Sequence, residues 1–326
     1  MNIACIGTGF VGVVTSAVLA KLGNRIIGLD IDQSKVDSLK QGIVPFFEPG
    51  LSELLIETQK AGNLSFTTDY KEAISTADIV MIMVGTPSNQ DGPADLKYVY
   101  AAADSLAPYL KAGAIVIIKS TVPPCTGAKV AASIKAKTNV AFEMASVPEF
   151  LKEGTAVEDT LHPDRIVIGV ESDRAKEILT ALHVPLTKNI ISMSPESAQM
   201  TKYAANNYLA TRITFINQIA DLCEHSGASI EDVIKGIGAD KRIGPHYWYP
   251  GLGYGGSCFP KDVAAFIHIA EKVGYDFKIL KAVAQINQDQ RRHVVTRVGD
   301  ALTSLRGKTI GVLGLSYKPD TDDLRD

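Results

Sequence analysis

The first 146 residues alternate short apolar runs with amphipathic segments of helix length. The runs are rich in β-branched residues, a pattern that favours buried strands over helices. Strands that alternate with helices form parallel sheets, so we predict an α/β domain built on a parallel sheet. A further strand, helix and strand at Arg165–Val170, Arg174–Leu182 and Asn189–Ile191 extend this sheet and give a domain of residues 1–193. The six earlier predicted strands are Ile3–Ile6, Arg25–Leu29, Leu64–Thr67, Asp78–Val84, Ile115–Lys119 and Val140–Ala145.

From Ser194 onward the pattern becomes helical. Ser194 suits an N-cap, Pro195 suits the first helical position, and Gly227 ends a helix of about 30 residues. We interpret this long helix as a connecting element, because such helices commonly span domains or form subunit interfaces. A Gly- and aromatic-rich loop and further helices at Ile230–Ile237, Lys261–Val273 and Lys278–Leu305 complete a predicted helical central domain of residues 194–305.

The last segment returns to an α/β pattern. Lys308–Leu315 has the composition of a strand, and it leads into a Gly-containing turn that reaches Tyr317. We predict that residues 306–326 begin a second Rossmann-like domain with this strand. The chain shows no internal repeat and no low-complexity segment.

Composition narrows the class of protein. The length suggests about two domains. The chain has 46% hydrophobic and 21% charged residues and a net charge of −3, which is ordinary for a globular protein and argues against charge-led binding of nucleic acid. The start of the chain lacks the features of a signal peptide, and no apolar run is long enough to span a membrane, so we expect a cytoplasmic protein without membrane association.

The first chemical motif is a glycine turn, Gly7-Thr8-Gly9-Phe10-Val11-Gly12, between a predicted strand and a helix. Glycines there allow a backbone to approach a pyrophosphate, as in Rossmann-type domains. Asp30 ends the second strand, where a carboxylate can bind a ribose 2′-hydroxyl and repel a 2′-phosphate. The pair favours NAD over NADP, although Lys35 and Arg25 are cations nearby. The alternative is that the glycines only pack strand against helix and that Asp30 is a surface residue.

The second motif is the segment GYGGSCFPKD, which carries Cys258. A thiol between a glycine-rich loop and a helix start lies near N–H groups that favour the thiolate, and Lys261 and Asp262 add a cation and a base. This is the pattern of a nucleophile. The four cysteines are too scattered for a disulfide framework or a metal site, and we expect none. Cys5 lies in a predicted strand and Cys223 in a predicted helix, so both suit packing. Cys125 follows two prolines, and its role stays undecided.

Further polar residues follow predicted strands or share a helix face. Lys202 and Asn206 lie four residues apart, so one helix face carries both, where they can hold a water or an oxyanion; such a pair is often only a solvated face. Glu149 and Glu153 follow a strand at the edge where α/β sheets bind ligands. Two threonines also follow strands and are otherwise turn residues, Thr86 and Thr121.

With these motifs in this order, the chain resembles the UDP-glucose/GDP-mannose dehydrogenase family. The resemblance runs the whole length and rests on GTGFVG, FFEPGL, VGTPS, STVPP, PEFLKEGTA, KYAANN, RIG, GYGGSCFPKD and GLSYKPDTDDLRD. The most specific segments are GGSC-x-PKD, PEFL and K-x-x-x-N. In two respects the chain departs from the family pattern: Val147 stands where the family usually has Asn, and family members continue into a second Rossmann-like domain that completes the UDP site.

The resemblance implies oxidation of the C6 alcohol of a nucleotide sugar, here UDP-glucose, to a carboxylate with two NAD. Cys258 would form a thiohemiacetal and then a thioester, and Lys202 would stabilise the oxyanion. Asn206 and Asp262 would position the reacting oxygen or water, and Glu149 would act as general base with a water held by Thr121. A homodimer through the long helix from Ser194 is also implied.

The resemblance also implies two sets of binding residues. The NAD set is Gly7, Gly9, Phe10, Val11, Gly12, Asp30, Lys35, Thr86, Thr121 and Glu153. The substrate set is Glu149, Phe150, Leu151, Glu153, Lys202, Asn206, Arg242, Tyr247, Tyr249, Gly255 and Lys318, with Arg242 contributed by a neighbouring subunit.

Several alternatives stay open at this point. The nucleotide sugar could be a UDP-N-acetylhexosamine or GDP-mannose. A two-electron hydroxy-acid dehydrogenase of the 6-phosphogluconate type also pairs a Rossmann domain with a helical domain, but its chemistry has no use for the thiol of Cys258. A catalytically incompetent NAD-binding fragment is the alternative outside the enzymes.

Overall fold

A computed structural model describes residues 1–87 and 92–325. Ser88 of the VGTPS motif and the final Asp326 lie outside these residues. Within them, eight strands form one sheet in the order β3-β2-β1-β4-β5-β6-β7-β8. The strands are β1 (Asn2–Ile6), β2 (Arg25–Leu29), β3 (Leu64–Thr67), β4 (Ile79–Ile82), β5 (Ala114–Ile118), β6 (Phe142–Ser146), β7 (Ile166–Val170) and β8 (Ile190–Met193).

Helices cover the sheet and form most of the remaining chain. Five of them begin at side chains that accept hydrogen bonds from the first backbone N–H groups, namely Asp32, Asp69, Ser172, Ser194 and Ser229. The helices are α1 (Phe10–Lys21), α2 (Gln33–Lys40), α3 (Leu51–Lys60), α4 (Tyr70–Ile74), α5 (Lys97–Leu106), α6 (Thr126–Lys135), α7 (Ala156–Leu161), α8 (Asp173–His183), α9 (Pro195–Ser226), α10 (Ile230–Gly238), α11 (Phe259–Lys272) and α12 (Lys278–Leu302).

The chain divides into two compact units. The first contains Met1–Pro87, Ala94–Lys202 and Lys318–Asp322, and it holds the whole sheet. Alternate residues of β1 enter different cores, because successive side chains of a strand point to opposite faces. Ile3 and Cys5 pack with one set of helices, whereas Ala4 and Ile6 pack with another. The central strands β1, β4 and β5 are therefore buried on both faces, which explains why they are almost continuously apolar.

The second unit consists mainly of Tyr203–Tyr317 and is helical. It contains the greater part of α9 together with α10, α11 and α12. Its core is a small apolar cluster of Ala210, Tyr254, Val263 and Val283. Tyr254 belongs to the loop before α11, so this core fixes part of that loop as well as the helices.

The predicted α/β fold with its long helix is confirmed, with two corrections. The strands β2 and β3 have their predicted bounds, and β7 and β8 do extend the sheet, but β7 pairs with β6 in the antiparallel sense. The predicted strand Lys308–Leu315 is wrong for this structure. It pairs with no strand among the described residues, and Leu313 is 98% exposed. A strand needs a neighbour to bond its backbone groups, and none is present in the part of the chain described.

The long helix extends over Pro195–Ser226, as the Ser194 and Gly227 signals predict. Helix α11 begins at Phe259, two residues before its predicted start, and α12 ends at Leu302 rather than Leu305. Within residues 1–87 and 92–325, no helix combines the length and the apolar character needed to cross a membrane.

Candidate active site

The glycine turn joins β1 to α1 and requires glycine at two positions. Gly7 has φ +95°, and a Cβ there would lie 2.7 Å from the Met83 carbonyl oxygen. A Cβ on Gly12 would lie 1.9 Å from the Gly7 carbonyl oxygen. Gly9 is the N-cap of α1, and no atom lies within 4 Å of a Cβ built on it. The turn therefore presents an open backbone surface at a helix start, which suits a pyrophosphate.

Asp30 follows β2 and is bound to the glycine turn. Its Oδ2 accepts hydrogen bonds from the Thr8 backbone N–H at 2.9 Å and from the Thr8 hydroxyl at 2.8 Å. Its Oδ1 accepts the backbone N–H of Asp32 at 3.1 Å. Thr8 was not among the predicted site residues, although its place between two glycines of the motif was a signal.

Two cations near Asp30 in the sequence, Arg25 and Lys35, could pair with a 2′-phosphate only if their side chains lie close to Asp30. Arg25 begins β2 and Asp30 follows its end, so the length of the strand separates them and Arg25 does not bear on cofactor choice. Lys35 is exposed in the first turn of α2. A glycine turn with an open helix start and a fixed carboxylate at the ribose position fits NAD, and Phe10 and Val11 form the first turn behind it.

Predicted residues follow three neighbouring strands at their carboxyl ends. Thr86 follows β4 and is buried, Thr121 follows β5 and is half-buried, and Glu149 follows β6. Because these three strands are parallel neighbours, their carboxyl ends lie at the same edge of the sheet. The departure at Val147 is a buried residue that packs in the core.

Glu149 and Lys202 form a buried ion pair. The Lys202 Nζ lies 2.8 Å from the Glu149 Oε1, with side-chain exposures of 4% and 10%. Burial opposes ionisation of Glu149, but Lys202 and Lys119 outweigh it and hold the pKa of this carboxyl below its usual value. The solvated-face alternative for Lys202 is therefore wrong, since its charge is buried and paired.

Lys119 adds a third charge that acts on Glu149 and Lys202, and sequence reasoning missed it. It follows β5, and its Nζ lies 3.4 Å from the Val147 carbonyl oxygen. Burial lowers the pKa of Lys119 to about 8, with Glu149 opposing the shift and Lys202 adding to it. A lysine at the end of the apolar run Ile115–Ile118 was a signal for a buried cation.

The segment after Glu149 is held by contacts within the first unit. Phe150 lies against two cations, the Arg165 guanidinium at 3.9 Å and the Lys202 Nζ at 5.5 Å from its ring centroid. The Leu151 backbone N–H donates to the Glu149 Oε2 at 2.9 Å. Glu149 therefore bonds both its own loop and α9.

Glu48, from the FFEPGL motif, anchors the same segment further on. Its buried carboxylate accepts the backbone N–H groups of Gly154 at 2.7 Å and Ala156 at 2.6 Å. Burial raises the pKa of Glu48, and these N–H groups partly offset the rise. Glu153 is buried beside Lys318, whose pKa burial lowers while Glu153 opposes that shift. Glu48 is a third residue that sequence reasoning missed, after Thr8 and Lys119.

Cys258 is the N-cap of α11 in the second unit and is exposed. Its Sγ lies 3.5 Å from the Ser257 hydroxyl. A thiol at this position is close to the first N–H groups of the helix, which favour a thiolate. Cys5 and Cys223 are buried as predicted, and burial raises the pKa of Cys5 to about 11.

Asp262 lies one turn into α11 and is almost completely buried. The Asn206 side-chain amide donates to its Oδ2 at 2.6 Å, and the Lys261 Nζ contacts its Oδ1 at 2.5 Å. Both carboxylate oxygens are therefore bonded, and Asn206, like Lys202, is buried rather than solvated. The second unit thus brings Asn206, Asp262 and the start of the Cys258 helix together.

The remaining predicted substrate residues lie in loops of the second unit. Arg242 is strongly exposed and ion-paired to Asp240. Tyr247 has φ +63°, Tyr249 is exposed, and Gly255 lies three residues before Cys258. The contribution of Arg242 to a neighbouring subunit stays a prediction.

Comparison with known proteins gives consistent matches. The NAD binding domain of the UDP-glucose/GDP-mannose dehydrogenase family matches residues 1–187, and its central domain matches residues 196–289. The UDP-glucose 6-dehydrogenase TuaD of Bacillus subtilis (strain 168) is 45% identical over 326 residues, which are 99% of this chain and 71% of that protein. The UDP-glucose 6-dehydrogenase of Pseudomonas aeruginosa is 44% identical, over 100% of this chain and 74% of that protein.

Solved structures agree with these sequence matches. The UDP-glucose dehydrogenase from Pyrobaculum islandicum is 42% identical with a TM-score of 0.96, over 99% of this chain and 76% of that chain. The GDP-mannose dehydrogenase from Pseudomonas aeruginosa is 34% identical with a TM-score of 0.71, over 100% of this chain and 76% of that chain.

Proposed function

The chain belongs to the UDP-glucose/GDP-mannose dehydrogenase family, and from that premise we propose that it oxidises UDP-glucose to UDP-glucuronate with two NAD and one water. The observation that carries the four-electron reaction is the exposed thiol of Cys258 at the N-cap of α11. The choice of sugar rests on the relatives named UDP-glucose 6-dehydrogenase and on the higher TM-score for the UDP-glucose dehydrogenase than for the GDP-mannose enzyme.

NAD supplies the chemistry of hydride acceptance, once in each half of the reaction. The glycine turn would hold its pyrophosphate, and Asp30 would bind its adenosine ribose. Thr86, Thr121 and Lys35 are further candidates for this site. Because Asp30 is fixed by Thr8 and Asp32, its carboxylate meets a ribose hydroxyl without first having to be ordered.

In the first half, the C6 alcohol loses a proton and a hydride and becomes an aldehyde. We assign Glu149, with a water held by Thr121, as the group that takes the proton. The low pKa of Glu149 keeps it ionised at neutral pH, so it can accept a proton through that water. The ion pair with Glu149 also fixes the Lys202 ammonium, which would stabilise negative charge on the C6 oxygen.

In the second half, the Cys258 thiolate adds to the aldehyde carbon and forms a C–S bond. The addition leaves an oxyanion on C6, and loss of a second hydride from C6 turns this thiohemiacetal anion into a thioester. A water held by Asn206 and Asp262 then attacks C6, the C–S bond breaks, Cys258 leaves as a thiolate, and the two protons of the water pass to solvent as the product becomes a carboxylate. The neutral amide of Asn206 and the fully bonded carboxylate of Asp262 are suited to orienting this water.

Replacement of Cys258 by serine tests the mechanism. Cys258→Ser should reduce formation of UDP-glucuronate by about 1000-fold or more, because an ester replaces the thioester and the hydroxyl is a much weaker nucleophile. Cys125→Ser is the matched control, since Cys125 is also an exposed cysteine at a helix N-cap, that of α6, and should retain full activity. Chromatography of the sugar acid is the measurement, and a serine variant as fast as the control would exclude the covalent role.

We further propose that the chain forms a homodimer through α9. Tyr208, Phe215 and Leu222 follow one another at seven-residue intervals, so they form an apolar stripe on one helix face. They are 61%, 52% and 64% exposed. An apolar stripe of this kind is commonly a subunit contact.

A single charge in the stripe tests this assembly. Leu222→Glu should yield monomers in sedimentation velocity, because the dimer would bury the new charge. Val273→Glu, at an exposed apolar residue outside the stripe, should leave the dimer intact. A monomeric unmodified protein, or a Leu222→Glu dimer of unchanged affinity, would contradict the proposal.

A further inference from the structure

The loop that leads to Cys258 has no regular structure of its own. Residues 249–255 form neither helix nor strand, so their backbone N–H and C=O groups need partners from elsewhere. Tyr254 of this loop is buried in the core of the second unit. Cys258 follows four residues later, so the course of this loop determines where α11 begins.

Three buried side-chain amides bond the backbone of this loop. Asn217 of α9 accepts the Gly251 N–H at 2.7 Å, and Gln290 of α12 donates to the Gly251 carbonyl oxygen at 2.9 Å. Asn287, one turn before Gln290, accepts the Tyr254 N–H at 2.8 Å and donates to the Tyr254 carbonyl oxygen at 2.9 Å. All three amides are buried. Both backbone polar groups of Gly251 and of Tyr254 are thereby bonded to amides.

Asn287 also determines which residue can stand at position 253. Gly253 has φ +101°, and a Cβ built on it would lie 2.4 Å from the Asn287 Oδ1. The side chain of Asn287 thus occupies the space that a larger residue would need. The loop and α12 fit each other at this point through a glycine and an amide.

We propose that Asn287 and Gln290 are positioning residues that fix the orientation of the Cys258 thiol at the start of α11. This inference rests on the proposed nucleophilic role of Cys258. An amide bonds a peptide N–H and a peptide C=O at once and carries no charge. The amides of Asn217, Asn287 and Gln290, which we call the clamp, therefore hold the loop without adding a charge of their own near a thiolate. An Asp or Lys in place of any of these amides would add such a charge.

The reactivity of the thiol distinguishes this role from a general contribution to folding. Cys258 and Cys125 are both exposed, whereas Cys5 and Cys223 are buried. Alkylation of the native protein by iodoacetamide, followed by peptide mass spectrometry, gives the rate at Cys258 relative to Cys125 as an internal standard. Since Cys258 is already exposed, a looser loop adds little access, and a change in this ratio reports the orientation of its thiol.

Asn287→Asp and Gln290→Met are the test variants. Asn287→Asp keeps an acceptor for the Tyr254 N–H but sets a carboxylate oxygen against the Tyr254 carbonyl, and Gln290→Met leaves the Gly251 carbonyl without its donor. Each should lower the Cys258 to Cys125 alkylation ratio and kcat by about 10-fold, with the KM for NAD unchanged. Gln285→Met, on the exposed side of α12, is the control and should match the unmodified protein.

The outcomes separate the inference from the proposed function. If both variants keep the alkylation ratio and kcat within about two-fold of the control, the positioning role is wrong even where Cys258→Ser is inactive. If Cys258→Ser is active, the proposed function fails, and the alkylation ratio still reports whether the clamp orients the thiol. A fall in kcat with an unchanged alkylation ratio would also overturn the inference.

Discussion

Removal of the Lys202 charge should destabilise the first unit far more than removal of an exposed lysine. In Lys202→Met, Glu149 keeps its charge in a buried place and loses the partner at 2.8 Å. Removing one member of a buried ion pair typically costs about 3–5 kcal/mol. Lys119 remains as a second, weaker partner of Glu149, so we expect the lower end of that range, about 3 kcal/mol.

Urea unfolding of Lys202→Met and of a control variant at neutral pH measures this difference in the free energy of unfolding. Lys97→Met is the matched control, because Lys97 lies 3.0 Å from Asp95 but both side chains are exposed, and such pairs contribute at most about 1 kcal/mol. Adding Glu149→Gln to Lys202→Met removes the buried charge and should restore most of the lost stability. A Lys202→Met cost no greater than that of Lys97→Met would refute the reasoning.

The ion pair between Glu149 and Lys202 also predicts how stability depends on pH. The pKa of Glu149 is held low in the folded protein, so its stabilising contribution is present above the unfolded pKa near 4.5 and is lost as the pH falls through the folded value. In Lys202→Met, burial should instead raise the pKa of Glu149. The destabilisation by Lys202→Met should then be largest at neutral pH and smaller at pH 5. An equal loss at both pH values would contradict this account of the pair.

Three further changes test other parts of the structure. Asp30→Ala should lower the affinity for NAD by about 10-fold or more in calorimetric titrations and bring it closer to the affinity for NADP. If the unmodified protein binds NAD and NADP with equal affinity, Asp30 does not select the cofactor. Lys119 has a pKa of about 8 in the folded protein and near 10.5 in the unfolded chain, so between these pH values only the unfolded chain keeps its proton. In urea unfolding, the free energy of unfolding of the unmodified protein should therefore rise by about 3 kcal/mol relative to that of Lys119→Met between pH 8 and 10.5. A difference between the two proteins that does not change with pH would contradict this pKa. Glu48→Gln should lower the free energy of urea unfolding by about 2 kcal/mol, because the new amide NH2 group faces a backbone N–H group that the carboxylate oxygen had accepted. Glu57→Gln, at an exposed glutamate, should leave the free energy of unfolding unchanged. Equal costs for these two glutamates would exclude the anchoring role of Glu48.

Most of the sheet was predictable because its strands are buried on both faces. Continuous apolar runs such as Ile79–Ile82 are distinct from the amphipathic helices around them. The direction of β7 was not predictable from its composition, since the residues of a buried strand read alike in either direction. The run Lys308–Leu315 shows the complementary limit: its composition suits a strand, but no neighbour is present among the described residues.

The site was predictable where the residue type itself carries the chemistry. The glycine turn, Asp30 and Cys258 are predicted as site residues because few other residue types could serve there, and their roles stay predictions. The burial of Lys202 and Asn206 was not predictable, because it depends on Glu149 and Asp262 from distant parts of the chain. A polar pair on a helix face reads as solvated until those partners are known.

Glu48 and Lys119 were missed for a related reason. Each is one charged residue at the edge of an apolar or turn segment, and its role appears only when the groups it contacts are known. Glu48 reaches the Gly154 and Ala156 N–H groups across more than a hundred residues of sequence. Sequence motifs thus point to candidate reacting groups, whereas the residues that hold them become visible only through their contacts in the structure.

A four-electron oxidation of a nucleotide sugar passes two hydrides to NAD, so the yield of NADH per sugar distinguishes it from a two-electron oxidation. A limiting amount of UDP-glucose should be converted completely with excess NAD, while NADH is followed by absorbance and the sugar product by chromatography. We expect two NADH for each UDP-glucuronate formed, with no aldehyde left. One NADH per sugar, with an aldehyde or a ketone as the final product, would contradict it.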